Sequence, residues 1–313
     1  MMEIKEKLNL YQKMVRIRCV DDTLLNLFKE GIISGFLHTS HGHEAVGVGV
    51  VSALSKSDQI VSYYRGHSHY IARDGNLQKL FDEILGKESG ICGGLGGSLH
   101  LVDKGLGIMA TSGIVAEAIP LAIGLALANK LYNKDSIVVV FFGDGATNSG
   151  VFYESLNFAA FLHLKILFVC ENNGFSQSER TSQLMGNEDI ANKAISIGVP
   201  GLNISGTDVI SIYQQTRKII DDIKEKNHPF LLNCYVKRLL GHTAFDGKGA
   251  RYRSEKEYAE GWNFCPLKIF KEKEVEINRE DLEVVEKEEH LRINNILKTV
   301  IATLLLFSKK PQV

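Results

Sequence analysis

No apolar run in this chain comes near the ~20 residues needed to cross a bilayer, and the one close to its end, Val300 to Phe307, falls far short. The five cysteines (Cys19, Cys92, Cys170, Cys234, Cys265) include no CxxC pair. Their odd number and wide spacing argue against a disulfide scaffold and for a reducing interior. The opening MMEIKEKLNL is charged and helical in pattern and does not read as a signal peptide. Lys and Arg number 36 against 37 Asp and Glu, a formal net charge of −1, so neither nucleic acid nor a membrane surface is an expected partner. Internal repeats and low-complexity segments are missing too. The expectation is a cytoplasmic protein whose 44% hydrophobic residues build a large core.

What is present centres on residues 136–174, SIVVVFFGDGATNSGVFYESLNFAAFLHLKILFVCENNG. Ile137 to Phe142 is a continuous β-branched and aromatic run stopped by glycine, the pattern of a strand buried on both faces. Gly143 and Gly145 permit a tight turn. From Asn148 to Leu162, Val151, Phe152, Leu156, Ala159 and Ala160 recur at helical spacing, and Ile166 to Cys170 is a second buried strand. The result is a βαβ unit with a right-handed crossover.

A glycine turn between strand and helix presents free N–H groups and the positive end of a helix to an anion such as phosphate. Asp144 would repel that anion unless a hard divalent cation lay between them, and Mg²⁺ favours such mixed oxygen donors. Asn172 and Asn173 at the next strand end add uncharged oxygens. The stretch thus predicts a metal-bridged diphosphate at the carboxyl ends of two parallel strands. A nicotinamide fingerprint fits less well: it wants glycine where Asn148 stands and an acidic residue after the second strand.

Gly143-Asp144-Gly145 followed by Asn172-Asn173 resembles the thiamine diphosphate motif. The flanking residues resemble the α chain of the decarboxylating component of 2-oxo acid dehydrogenase complexes, of the pyruvate or acetoin type, over roughly residues 8–262. The resemblance implies an α/β thiamine diphosphate-binding fold, a mostly parallel sheet with helices on both faces. It implies Mg²⁺ on Asp144, Asn173 and the Phe175 carbonyl, and diphosphate against Gly143, Gly145 and Ala146. In GFLH, Phe36 and His38 would face a small 2-oxo acid or acetoin, with His38 assisting proton transfer or steadying the carboxylate. Tyr64 and Arg65 would grip the diphosphate with His67 close to the active centre. Gly113 and Val115 would meet the aminopyrimidine ring, and His242 of the GHT segment would border the diphosphate.

Other segments are read around this core. His38, His41 and His43 invite a zinc reading, but they lack the helical HExxH spacing and a nearby cysteine. Residues 4–30 read as an amphipathic core helix, 208–226 as another, and 194–204 and 230–237 as strand-like runs. SGICGGLGGSLH (89–100) is too apolar for a linker and is expected to be an ordered loop, SQSERTSQLMGNEDI a polar loop, and residues 239–262 a mobile functional loop. Domain boundaries are expected at 1–265 for the cofactor domain and 266–313 for a charged helical extension, its end, VIATLLLFSKKPQV, packing on this chain or a partner. His43, Glu117 and Gln177 to Arg180 depart from the family pattern, and Thr243 stands where animal members carry a phosphorylated serine.

The family takes the glutamate that activates the aminopyrimidine from a separate β chain. The resemblance therefore implies an α₂β₂ assembly, inactive without β, that passes an acyl unit to a lipoyl-bearing acyltransferase. Two alternatives stand beside it: a thiamine-dependent transferase serving a small acceptor, and a non-catalytic cofactor-binding chain.

Overall fold

The computed structural model describes residues 2–247 and 252–307. In chain order, α1 (Ile4–Lys29) and α2 (Glu44–Ala53) precede β1 (Gln59–Tyr63), and α3 (His67–Ala72) and α4 (Leu77–Ile84) lead to β2 (Ile108–Ser112). Helix α5 (Ala118–Leu131) precedes β3 (Val138–Gly143), and α6 (Gly150–Phe161) connects it to β4 (Ile166–Asn172). A short hairpin, β5 (Phe175–Ser176) and β6 (Glu179–Arg180), runs into α7 (Thr181–Leu184) and α8 (Ile190–Ile195). Then come β7 (Gly201–Ser205), α9 (Val209–Lys226), β8 (Phe230–Tyr235), α10 (Glu255–Gly261), α11 (Pro266–Lys273) and α12 (Arg279–Phe307).

Among the described residues six strands form one sheet in the order β2-β1-β3-β4-β8-β7, every pairing parallel. Alternation along the central strands decides which core each side chain enters. Val139, Phe141, Leu167 and Val169 join α1, α2 and α9 on one face, while Val138, Val140, Phe142, Ile166 and Phe168 meet α5 and α6 on the other. Each of these fully buried side chains contributes roughly 1.5–3 kcal/mol by leaving water. From β1 the chain crosses to β2 on one side and then passes back over β1 to β3 on the other, so a crevice opens at the carboxyl ends where the winding reverses.

The segment after residue 265 packs into the same core. Phe270, Ile277, Leu282, Ile293 and Val300 join the cluster that holds Tyr11 and Met14 of α1. Tyr11 stacks on Phe270 at 4.7 Å, and Arg16 grips Glu289 with two bonds of 2.9 and 2.8 Å. The charges of α12 thus flank a buried stripe.

Two expectations change. The polar stretch after Asn173 is not simply a loop, because Phe175–Ser176 and Glu179–Arg180 pair as a hairpin, with Gln177 in the left-handed region at φ 57°. The strand-like run 194–204 divides: α8 ends at Ile195, Gly198 turns at φ 88°, and Pro200 delays β7 to Gly201. Of the expected mobile loop, residues 248–251 lie outside the described residues, as do 308–313 of the C-terminal end. No described helix is long and apolar enough to cross a membrane.

Candidate active site

A cavity of about 410 Å³ opens at the carboxyl ends of the strands. It gathers Tyr64 and Arg65 after β1, Gly113 and Val115 after β2, Gly143, Asp144, Gly145 and Ala146 after β3, and Asn173 and Phe175 after β4. His242 reaches it from beyond β8, and Phe36 and His38 from the loop before α2. Side chains scattered over two hundred residues meet here because all but Phe36 and His38 follow a strand end. Instead of entering α6 directly, residues Asp144–Asn148 form a 3₁₀ turn, and α6 starts at Gly150. Gly143 faces open space, whereas a Cβ on Gly145 would lie 2.6 Å from the Ser176 hydroxyl, so the hairpin requires glycine there.

The electrostatics of the cavity are unbalanced. Arg65, 2% exposed, donates to the carbonyls of Thr39 and, at 3.3 Å, His242, and its Nε has no partner. Arg238, 3% exposed, donates to the Gln177 carbonyl at 2.7 Å and the Tyr252 hydroxyl at 3.1 Å, with Nε again unpartnered. Burial, then the repulsion of Arg65, pushes the Arg238 guanidinium down to about 10. Neither arginine is paired with a carboxylate among the described residues.

The histidines respond to the same field. Burial and the charge of Arg65 push His38 down to about 2 and His242 to about 3. Arg238 lies 3.3 Å from His242 Nδ1 and, being a donor only, makes that nitrogen an acceptor on a neutral ring. His38 packs against Tyr64 and His242 at 4.6 and 4.9 Å between ring centres and leaves Nδ1 unpartnered.

Asp144 is the third unsatisfied element. One oxygen accepts the Asn173 N–H at 3.4 Å, and the other has no partner. Burial pushes its carboxyl up to about 6, with Thr181, backbone N–H groups and Arg238 opposing. Gly174 at φ 77° folds Asn173 back so that its amide oxygen accepts the Phe175 N–H at 3.1 Å beside Asp144.

Residues 12–304 match the family described as dehydrogenase E1 component. The chain belongs to that family. The α subunit of acetoin:2,6-dichlorophenolindophenol oxidoreductase from Bacillus subtilis (strain 168) is 38% identical over 251 residues, covering 80% of this chain and 75% of the relative. Its counterpart from Cupriavidus necator is 36% identical over 285 residues, covering 90% and 85%. The pyruvate dehydrogenase E1 component subunit alpha of Rhizobium meliloti is 32% identical over 253 residues, covering 81% and 72%.

Within this E1 cavity His67 is the predicted residue that does not line the wall. It is fully buried at the start of α3, with Nδ1 on Asp21 at 2.7 Å and Nε2 on Ser98 at 2.9 Å. Both ring nitrogens are committed, so none is left for the cavity. The other histidines of the HTSHGH segment diverge as well. His41 binds Asp22 at 2.8 Å, and His43 lies fully buried 3.5 Å from Glu171. Glu117 is exposed and accepts a hydrogen bond from Ser112, while Ala116 lines the cavity in the left-handed region at φ 69°.

Sequence reasoning missed Arg238 and Glu171. Arg238 stands beside Lys237 just past a strand, with no local feature separating the two. Glu171 sits beneath the cavity, accepts the hydroxyl of cavity-lining Tyr63, and has His43 and His69 at 3.5 and 3.8 Å. Burial alone would raise its carboxyl; the closeness of His43, with His69 and the Tyr63 hydroxyl, holds it below the ordinary range, while its second oxygen makes no hydrogen bond.

Proposed function

We propose that this chain is the α subunit of a thiamine diphosphate- and Mg²⁺-dependent dehydrogenase acting on a small 2-oxo acid or acetoin. The observation that carries the reading is the charge arrangement of the cavity. Arg65 and Arg238 are buried without carboxylate partners, opposite an Asp144 oxygen that also lacks one. Two buried guanidinium groups require an anion, and their planar forks suit phosphate oxygens. No described cluster of three His, Cys, Asp or Glu residues is arranged to hold a metal. A cation here therefore needs oxygens from the ligand besides Asp144, Asn173 and the Phe175 carbonyl, and that mixed set fits Mg²⁺ better than zinc.

Thiamine diphosphate, once bound, supplies the nucleophile and electron sink for cleaving the bond next to the substrate carbonyl. The protein's own part is orientation and field. Tyr64, Arg65, Arg238 and His242 hold the diphosphate end, the N–H groups of Gly145 and Ala146 approach it through the glycine turn, and Gly113 and Val115 meet the ring. Phe36 and neutral His38 face the substrate, with His38 holding or delivering a proton through Nδ1. His67 orients the loops behind them.

Support for a β chain lies in exposed apolar residues. Ile114 and Val115 are more than half exposed in the cavity wall, and Leu131, Tyr132, Phe158 and Phe161 are more than half exposed at the far ends of α5 and α6. In this reading the β chain covers these residues and brings the pyrimidine-activating glutamate, giving α₂β₂, with a lipoyl-bearing acyltransferase as acceptor.

The test is coexpression with a β chain, followed by thiamine- and Mg²⁺-dependent turnover of pyruvate, acetoin and branched 2-oxo acids with an artificial electron acceptor. Turnover that requires both chains and vanishes in Asp144→Ala is expected. Full activity from the α chain alone, or cofactor binding without any turnover, overturns the reading, and the second result favours the small-acceptor transferase.

A further inference from the structure

The glycine-rich segment 89–100 contributes Leu99 to the cavity wall, yet its residues 89–97 belong to no helix or strand. Its backbone N–H groups therefore need other acceptors. Those of Gly90, Gly93 and Leu95 meet carbonyls of the turn itself, and four others converge on a single side chain. Glu83, fully buried in the last turn of α4, accepts the N–H groups of Cys92 and Gly94 on one oxygen at 2.6 and 2.9 Å. Its other oxygen accepts those of Gly96 and Gly97 at 2.7 and 3.0 Å. No described Lys, Arg or His pairs with this carboxylate, so its charge is met entirely by backbone dipoles, as in an anion-binding nest.

The glycines are what allow the wrap. Gly94 and Gly97 take φ of 76° and 57°, and a Cβ on Gly90 would lie 2.5 Å from the Glu83 carboxylate. Beyond the wrap, Ser98 bonds His67 at 2.9 Å, His67 bonds Asp21 at 2.7 Å, and Asp21 accepts the Ser40 N–H at 2.6 Å. Ser40 lies two residues from His38, and Thr39 between them supplies the carbonyl that Arg65 grips. His100 sits under Gly113, where a Cβ would meet its ring at 3.4 Å.

We propose that Glu83 is a positioning residue for the cofactor cavity: its carboxylate shapes the glycine-rich loop, and the Ser98–His67–Asp21 chain transmits that shape to the arm bearing His38 and Thr39. The loop part stands on geometry alone, and the effect on cofactor rests on the function proposed above. Glu83→Gln keeps the size of the side chain but turns one acceptor oxygen into a donor facing two N–H groups.

Cys92 reports the outcome, because it is half-buried within the wrap while the other four cysteines are buried. In the full chain coexpressed with its β partner, N-ethylmaleimide labelling is followed peptide by peptide, and thiamine diphosphate binding with Mg²⁺ is measured by titration calorimetry. Losing charge-assisted bonds worth about 1.5–3 kcal/mol should speed labelling of Cys92 about ten-fold or more. The buried cysteines should stay unlabelled, and cofactor affinity should fall several-fold. Unchanged labelling of Cys92, or faster labelling of all five cysteines, overturns the loop role. Faster labelling of Cys92 with unchanged cofactor affinity overturns the link to the cavity. If Glu83→Gln does not fold, Ser98→Ala carries the question: weaker cofactor binding with Cys92 labelling unchanged is expected, and unchanged binding sinks the proposal. Failure of the wild-type complex to bind the cofactor counts against the proposed function and leaves the labelling result standing.

Discussion

Asp144 and Glu83 are both buried carboxylates beside glycine-rich turns, and their surroundings are opposite. Glu83 receives four backbone N–H groups and has no unpartnered oxygen. Asp144 keeps one oxygen with no partner, opposite two arginines that also lack complete shells. A buried charge that is fully met is finished architecture; one left unmet is destabilising until a ligand arrives. Glu171 stands between the two: one oxygen accepts the Tyr63 hydroxyl, and the other makes no hydrogen bond, with His43 at 3.5 Å.

The largest effect should come from Asp144→Ala, which tests the unmet side. Turnover should fall by about a thousand-fold or more, in line with losing a group that fixes both metal and diphosphate. Stability of the cofactor-free chain should hold or rise, because the variant removes an unpartnered charge. A marked drop in its melting temperature would place Asp144 with the finished carboxylates and break the comparison. Glu171→Gln should do the reverse. Burial depresses His43 and His69 and keeps them neutral, so the variant loses the charge-assisted bond from Tyr63 and should cost about 1.5–3 kcal/mol in denaturant unfolding; a neutral result would mean that this bond is not charge-assisted.

Arg238→Met separates anion binding from packing, since the methionine keeps the apolar stem. Losing charge-assisted contacts of about 1.5–3 kcal/mol predicts ten- to hundred-fold weaker diphosphate binding. Thiamine, which lacks the diphosphate, serves as the control, and an equal loss for both ligands would move Arg238 out of the diphosphate site.

The finished regions and the unmet region were not equally legible in the sequence. The β3–α6–β4 unit could be read because its apolar runs are continuous and end in glycine and polar residues, signals that act locally. The remaining cavity residues, Phe36, His38, Tyr64, Arg65, Gly113, Val115 and His242, were singled out by the family resemblance and not by local pattern. Glu83 could not be read, because its partners lie nine to fourteen residues away in a loop whose shape exists only when the carboxylate is inside it. His67 looked catalytic beside Tyr64 and Arg65, yet the first turn of α3 carries its ring away from the cavity and onto Asp21. The β5–β6 hairpin was hidden because Gln177 occupies a left-handed position that glycine or asparagine would have signalled.

Acid sharpens the comparison through the histidines. His38 and His242 are held well below the ordinary range by burial and then by Arg65. For groups depressed in the folded state, stability is intact above the unfolded value, near 6.5. It is lost as pH falls towards the folded values, because the unfolded chain takes up protons that the cavity refuses. Melting temperature of the cofactor-free chain should therefore decline below about pH 6.5, and His38→Asn should flatten the decline. Bound diphosphate, by answering the arginines, should flatten it too. A decline that cofactor leaves unchanged would assign the acid sensitivity to groups outside the cavity.

The smallest effect is expected where the cavity wall is strained without being charged. Ala116 holds φ at 69°, a region that costs an L-residue roughly 1–2 kcal/mol and costs glycine little. Its neighbours Gly113 to Val115 carry the part of the wall assigned to the cofactor ring, so the strain sits at the cavity and not in the core. Ala116→Gly relieves it but also frees the unfolded backbone, and the gain left after that offset is about 1 kcal/mol or less. Denaturant unfolding should show that small stabilisation, with cofactor affinity nearly unchanged because no charged partner is altered. If affinity falls by more than a factor of a few, the rigidity of residue 116 serves binding, and the unmet region depends on backbone strain as well as on unanswered charge.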